Sequence, residues 1–228
     1  KGRKLAKHAG GLGVIAIKKQ SEPAALLAYR KQPDSCYDGA HFTSVKDAVR
    51  SSLLEEQGYL CAYCMVSLED DRQKVKIEHW QSQSDYPERQ LDYKNMLVVC
   101  KGNEGCGIAS QHCDTRKGNQ KLSINPAEPS HSVEEKIKHL GNGRLTVDEP
   151  TLDDELNQVL NLNYHRLQEN RKEVIRAVQQ VLNKGRGTVT TVQLKKLLQA
   201  WQTTDANGKK KSFCGTATYY LNKKLKRL

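Results

Sequence analysis

The residues with the most chemistry in them fall between Cys61 and Asn119, in four groups: Cys61-Ala-Tyr-Cys64, Ile77-Glu78-His79-Trp80, Asp92-Tyr93-Lys94-Asn95, and His112-Cys113-Asp114-Thr115-Arg116-Lys117-Gly118-Asn119. Two cysteines two residues apart can grip one tetrahedral ion from a tight turn, and a structural zinc site needs a second pair to close its shell. Cys100 and Cys113 are the natural second pair. Twelve residues separate them, against roughly two to four in common zinc spacings, so Lys101 to Gln111 reads as an inserted loop. Cys106 and His112, in or beside that loop, are alternative ligands, because zinc accepts thiolate and imidazole alike. Buried thiols, or a redox pair of the thioredoxin type, would account for Cys61 and Cys64 but would leave the second pair a coincidence.

The apolar positions Val75, Ile77 and Trp80 predict a short strand that ends by presenting a carboxylate and an imidazole, Glu78 and His79. An imidazole with a pKa of about 6.5 is mostly neutral at neutral pH and can take a proton from water. Glu78 and Asp114 are hard oxygen donors suited to Mg²⁺ or Mn²⁺. An ion there would offset charge on a phosphate and on its departing oxygen. Each residue also has a plainer role. Glu78 would be a solvated strand-end charge, His79 a packing histidine, Asn95 a turn former and Asp114 the N-cap of a helix beginning at Thr115. Arg116 and Lys117, in the first turn of that helix, are either phosphate clamps or exposed cations.

The order CxxC, acid-His, Asn, then Cys-acid-x-x-Lys-Gly resembles the HNH family of ββα-metal endonucleases. The runs Gly58 to Cys64, Ile77 to Trp80 and His112 to Asn119 are similar to the nuclease subunits of Septu-type anti-phage systems (PtuB), retron-associated versions included. Specific motifs cover only Cys61 to Asn119; elsewhere the likeness is one of length and order. The resemblance implies a general base at His79, catalytic-metal ligands at Glu78 and Asp114, an orienting residue at Asn95 and structural zinc on Cys61, Cys64, Cys100 and Cys113. Two positions depart from the family pattern, which more often has Asp before the histidine and Asn or His after the last cysteine. It further implies hydrolysis of DNA leaving a 5′ phosphate and a 3′ hydroxyl, a companion ATPase (PtuA-like) and, for retron-associated versions, a reverse transcriptase with its RNA–DNA product. The same chemistry on RNA such as tRNA is an alternative, as is a zinc-stabilised nucleic-acid-binding or scaffold module without catalysis.

The remaining sequence has to position these groups. A formal net charge of +11 suits a polyanionic partner. Seven cysteines, four clustered for metal, fit a reducing cytoplasm better than a disulfide framework. No apolar run approaches membrane-spanning length, and the short run Leu12 to Ile17 between basic residues lacks a cleavage site, so no signal peptide is expected. The predicted fold is α+β and mostly helical, in three stretches: 1–57 with a basic tail and helices, 58–125 as a zinc-stapled ββα-metal core, and 126–228 as a hairpin and helical bundle.

In the first stretch Val14 to Ile17 predicts a short strand, Glu22-Pro23 opens a helix to about Arg30, and Thr43 or Ser44 caps a second helix with Val45, Val49, Leu53 and Leu54 on one face. Gly141-Asn142-Gly143 marks a hairpin between Ile137 and Val147. Beyond it the apolar stripes Leu152-Leu156-Val159-Leu160, Leu167-Val174-Val178-Val181 and Leu194-Leu197-Leu198-Trp201 predict helices, with Gly185 and Gly187 between the last two. A final helix is expected from Gly215 to Leu228.

Overall fold

The structure, a computed structural model, describes residues 16–184 and 188–228. The basic tail, Gly10 to Gly13, Val14 and Gly185 and Gly187 lie outside the described residues. The protein is α+β and mostly helical, with two small two-stranded sheets. Strand β1 (Val75–His79) pairs antiparallel with β2 (Met96–Cys100), setting Val75 opposite Cys100 and His79 opposite Met96. All five residues of β2 are buried, as expected of an apolar run covered on both faces.

Helix α1 (Ala24–Tyr29) packs on α2 (Phe42–Glu56), and α2 in turn covers β2. The predicted apolar stripe of α2 is buried, but neither Thr43 nor Ser44 caps it. The helix starts at Phe42, after His41 in the left-handed conformation, because Phe42 packs its ring on Tyr29 and Tyr37. Of the strand expected from Val14 to Ile17, Val14 and Ile15 lie outside the described residues; Ala16 and Ile17 belong to no strand among the described residues, and Ile17 N–H donates to the Pro126 carbonyl.

After β2, the loop 101–112 returns to its own base. His112 N–H donates to the Gly102 carbonyl at 3.0 Å, and Gly102 has a φ of +53°. A Cβ there would stand 2.0 Å from the His112 carbonyl oxygen, so glycine alone fits. The pinned loop delivers Cys113 to Cys100 despite the long spacing. Helix α3 (Cys113–Lys117) follows and packs on β2.

Helix α4 (Val133–Lys136) leads into a short hairpin of β3 (Lys138–His139) and β4 (Leu145–Thr146). Helix α5 (Pro150–Asp154) continues as a single π-turn, Glu155–Val159. The second half ends with α6 (His165–Asn183), α7 (Thr191–Gln202) and α8 (Cys214–Leu225), three residues short of the expected end. On α6 the buried stripe is Leu167, Arg171, Ile175, Val178 and Leu182; Val181, expected inside, is 53% exposed. The stripe is displaced because an arginine holds an interior position. Arg171 donates Nη2–H to the Leu162 carbonyl at 2.6 Å and Nε–H to the Gly143 carbonyl, tying α6 to the hairpin.

His139 of that hairpin is buried, with Nδ1 2.9 Å from Thr216 Oγ1 of α8 and Nε2 unpartnered among the described residues. Burial first, then the charge of Arg171, pushes its pKa down to about 3. The unfolded chain binds this proton below about 6.5, so the group's contribution is complete above that pH and is lost as pH falls toward 3. Unfolding at pH 5 is expected to cost about 2 kcal/mol less than at pH 7.5 on this account alone. Denaturant titrations at both pH values should show that difference shrinking in His139→Gln.

Candidate active site and metal centre

The CxxC turn is a tight knuckle next to the β1–β2 sheet. Cys61 N–H donates to the Val66 carbonyl, Met65 N–H to the Cys61 carbonyl and Ala62 N–H to the Val98 carbonyl of β2. Cys100 ends β2 and Cys113 opens α3. The four sulfurs lie within 4.8 Å of one another and all four cysteines are buried. Cys61 Sγ is 3.9 Å from Cys113 Sγ, and Cys64 Sγ is 3.8 Å from Cys100 Sγ. A zinc tetrahedron with Zn–S of about 2.3 Å has edges of about 3.8 Å, so the spacing and the soft donor set fit a metal such as zinc.

The thiols fit a cation electrically as well. Hydrogen bonds, first from Cys113 and then from Cys61, hold Cys100 far below the usual thiol range, while burial pushes Cys113 well above it. Four sulfurs in a dry pocket cannot all ionise without a positive centre. His112 is not a fourth ligand in place of a cysteine. It stacks on Tyr164 with Nδ1 3.2 Å from Cys113 Sγ, touching the sulfur from outside the cluster. Cys106 is exposed in the 101–112 loop and lies apart.

Beside this centre opens a cleft of about 620 Å³ lined by Lys76, Glu78, His79, Gln83, Glu104 and Asp114 among others. Glu78, near the end of β1, is buried, and its Oε1 accepts from Tyr63 O–H at 3.0 Å and from Lys117 Nζ at 2.7 Å. Burial first, then the neighbouring Asp114 carboxylate, pushes the Glu78 carboxyl well above the usual range. Tyr63 belongs to the CxxC turn, so one side chain joins the sulfur cluster to the cleft. Asp114 sits in the first turn of α3, directly after Cys113, and is not that helix's N-cap, a position His112 takes.

His79 is 5% exposed, its ring edge-on to Tyr37 with centroids 4.6 Å apart. Nε2 is 2.9 Å from the Gln90 carbonyl, which can only accept, so Nε2 carries the proton. Nδ1 then carries the lone pair and accepts from the amide nitrogen of Gln83, another residue of the cleft wall, at 3.1 Å. Burial, the largest influence, lowers the pKa of His79 and keeps the ring neutral.

Asn95 reaches His79 only indirectly. Its Oδ1 accepts from Gln81 N–H, and its amide donates to the Gln81 and Arg89 carbonyls. That fixes the loop whose next residue, Gln90, holds the imidazole.

Lys117 and Arg116 are not placed as phosphate clamps. Lys117 is 1% exposed, with its ammonium on Glu78. Arg116 donates to the Gln158 and Ile108 carbonyls. The cleft residues Lys76, Gln83 and Glu104, and Tyr63 on Glu78, have no role in the reading of the sequence. Lys76 was findable, since it stands two residues before Glu78 and strand alternation puts it on the same face.

Fold and site thus define a mostly helical α+β protein with a four-cysteine centre next to an acid- and imidazole-lined cleft. No protein-family model matches the chain. It is 25% identical over 93 residues to Septu protein PtuB of Bacillus thuringiensis, a stretch that is 40% of this chain and 36% of that protein. The likeness supports a relation to Septu proteins and spans about a third of that relative's length.

Proposed function

We propose that the protein is a divalent-metal-dependent HNH endonuclease with residues 58–125 as its ββα-metal core, hydrolysing phosphodiester bonds of DNA as the effector of an anti-phage defence system. The observation that carries this reading is His79. Its protonated nitrogen is fixed on a backbone carbonyl, its basic nitrogen accepts from Gln83, and both residues line a cleft with the acids Glu78 and Asp114. The order β1, β2, α3 around a thiolate centre supports it, as does the likeness to a Septu protein.

In the proposed reaction the Gln83 amide moves off Nδ1 of His79, which then takes a proton from water as that water attacks phosphorus in line and the 3′ oxygen leaves. Glu78 and Asp114 fit a Mg²⁺ or Mn²⁺ ion as hard oxygen donors lining one cleft, Glu78 paired with Lys117 and Asp114 with Lys76. When bound, such an ion would neutralise charge on the phosphate and the departing 3′ oxygen. Asn95 positions the loop that holds His79, and the four cysteines hold zinc for structure only.

A companion ATPase is the proposed restraint on this activity, acting in the cytoplasm, with a reverse transcriptase and its RNA–DNA product as further partners where the system is retron-associated. Among the described residues no helix is long and apolar enough to cross a membrane.

The test offers supercoiled DNA and tRNA to the purified protein with Mg²⁺ or Mn²⁺, alone and with its co-expressed ATPase. Nicking of DNA is expected. Cutting of tRNA alone would move the substrate to RNA, and binding without any cutting would leave a non-catalytic module.

A further inference from the structure

Glu78 and Asp114 already have cations of their own, and the two cations are not alike. Glu78 is held by Lys117, whose ammonium is sealed in the interior and also lies near the His79 and Gly118 carbonyls, at 3.5 and 3.3 Å. Asp114 is held by Lys76. Its Nζ stands 3.3 Å from Asp114 Oδ2, 2.7 Å from Glu104 Oε1 and 3.1 Å from Thr115 Oγ1. Three acceptors satisfy the three N–H bonds of an ammonium. The Lys76 side chain is nonetheless 24% exposed, and Glu104 belongs to the exposed 101–112 loop, so this group is free to move where Lys117 is not.

Resting on the metal-ion reading above, we infer that Lys76 is a displaceable counter-ion of Asp114, so that the cleft binds a divalent cation weakly until a phosphate strand draws the lysine away. With Glu78, Asp114 and Glu104 against Lys76 and Lys117, the formal charge of the cleft is only −1. An ion seated on Asp114 at about 2.1 Å would share that carboxylate with an ammonium 3.3 Å from it. Two cations on one carboxylate repel, so the ion binds more tightly once the mobile one has left.

A destination lies next to it. Lys76 and Ile77 also line a neighbouring groove of about 480 Å³, whose other charged walls are Lys46, Arg50, Arg72 and Lys101 against Asp38 and Asp47, an excess of cations although Lys46, Arg50 and Arg72 are paired with those acids. A polyanionic strand lying there would meet the Lys76 ammonium within the reach of its four-carbon stem. Strand and metal ion would therefore bind cooperatively, each lowering the cost of the other. A nuclease built this way holds little metal at rest.

The experiment is Mn²⁺ binding followed by electron paramagnetic resonance on the full chain, with no turnover required. Lys76→Met is expected to bind Mn²⁺ alone about tenfold more tightly than the unaltered protein. Lys46→Met removes an equal charge from the groove wall without touching Asp114, and should change affinity less than twofold. In a His79→Ala background, where a DNA oligonucleotide stays intact, the oligonucleotide should tighten Mn²⁺ binding about tenfold. Adding Lys76→Met to that background should remove most of the gain. Lys76→Gln, which keeps a hydrogen bond to Thr115, should behave as Lys76→Met and guards against a folding defect in the latter. Equal or weaker Mn²⁺ binding in both Lys76 variants overturns the role of Lys76 alone. Absence of Mn²⁺ binding in every protein, with and without oligonucleotide, overturns the metal reading of the cleft and this inference with it.

Discussion

Exchange of Cys113 for serine is expected to unfold the region between Gly58 and Asn119 and to release one zinc ion per chain. The reason is where the energy sits. The sheet beside the centre has two strands of five residues, too little to be stable alone, and both β2 and α3 are joined to the CxxC turn through sulfur. A structural zinc site contributes about 10–16 kcal/mol in small domains, which rivals the whole stability of a typical protein, about 5–15 kcal/mol. A hard hydroxyl in place of one thiolate forfeits most of that.

Metal analysis by mass spectrometry, with hydrogen exchange of β1, β2 and α3, checks the prediction. A strong chelator should act like the substitution, whereas Cys106→Ser should leave both zinc content and exchange unchanged, since Cys106 is exposed and outside the cluster. Retained zinc and unchanged exchange in Cys113→Ser would remove the centre from the account.

The second large effect is chemical rather than structural. His79→Ala is expected to lower cutting by about 10²- to 10⁴-fold, the range a positioned general base supplies, with a lower melting temperature from the lost buried ring but an unchanged far-UV circular-dichroism spectrum at about 20 °C. The pH profile adds a sign. Because burial lowers the pKa of His79, the ring is already neutral below its ordinary 6.5. The acid limb of cutting should therefore have its midpoint below pH 6.5, with full rate held to neutral pH. Weakening the Gln90 contact leaves the proton free to choose either nitrogen, so changes to Asn95, which pins that loop, should cost activity without removing it. Steady-state rates of His79→Ala, Asn95→Ala and the unaltered protein across pH 5 to 8 separate the roles.

Much of this site is legible in one dimension because its parts are local. Cys61 and Cys64 share one turn, Glu78 and His79 share one strand end, and Cys113 and Asp114 are adjacent, so spacing alone brings the right donors within one or two turns of chain. The joining of Cys100 to Cys113 is legible only in hindsight, through Gly102. A twelve-residue loop becomes a tight closure when one glycine meets the His112 carbonyl. What a single sequence hides is competition for charge. Lys117 reads as an exposed cation on a helix, yet the burial of Glu78 demands a counter-ion and takes that one.

Arg171 misleads for the same reason. Its interior place is set by two backbone carbonyls from other elements, Gly143 and Leu162, and so it shifts the apolar stripe of α6 off Val181. The start of α2 at Phe42 is a further case, where aromatic packing outweighs the capping preference of Thr43 and Ser44.

The most direct measurement cuts a DNA oligonucleotide in ¹⁸O-labelled water with Mg²⁺ present and weighs the ends by mass spectrometry. Hydrolysis by a water that His79 has deprotonated predicts one ¹⁸O in a 5′-terminal phosphate, a 3′ hydroxyl on the other fragment, and neither product from His79→Ala. Intact oligonucleotide under every metal and partner condition, or fragments equally abundant from His79→Ala, would contradict it.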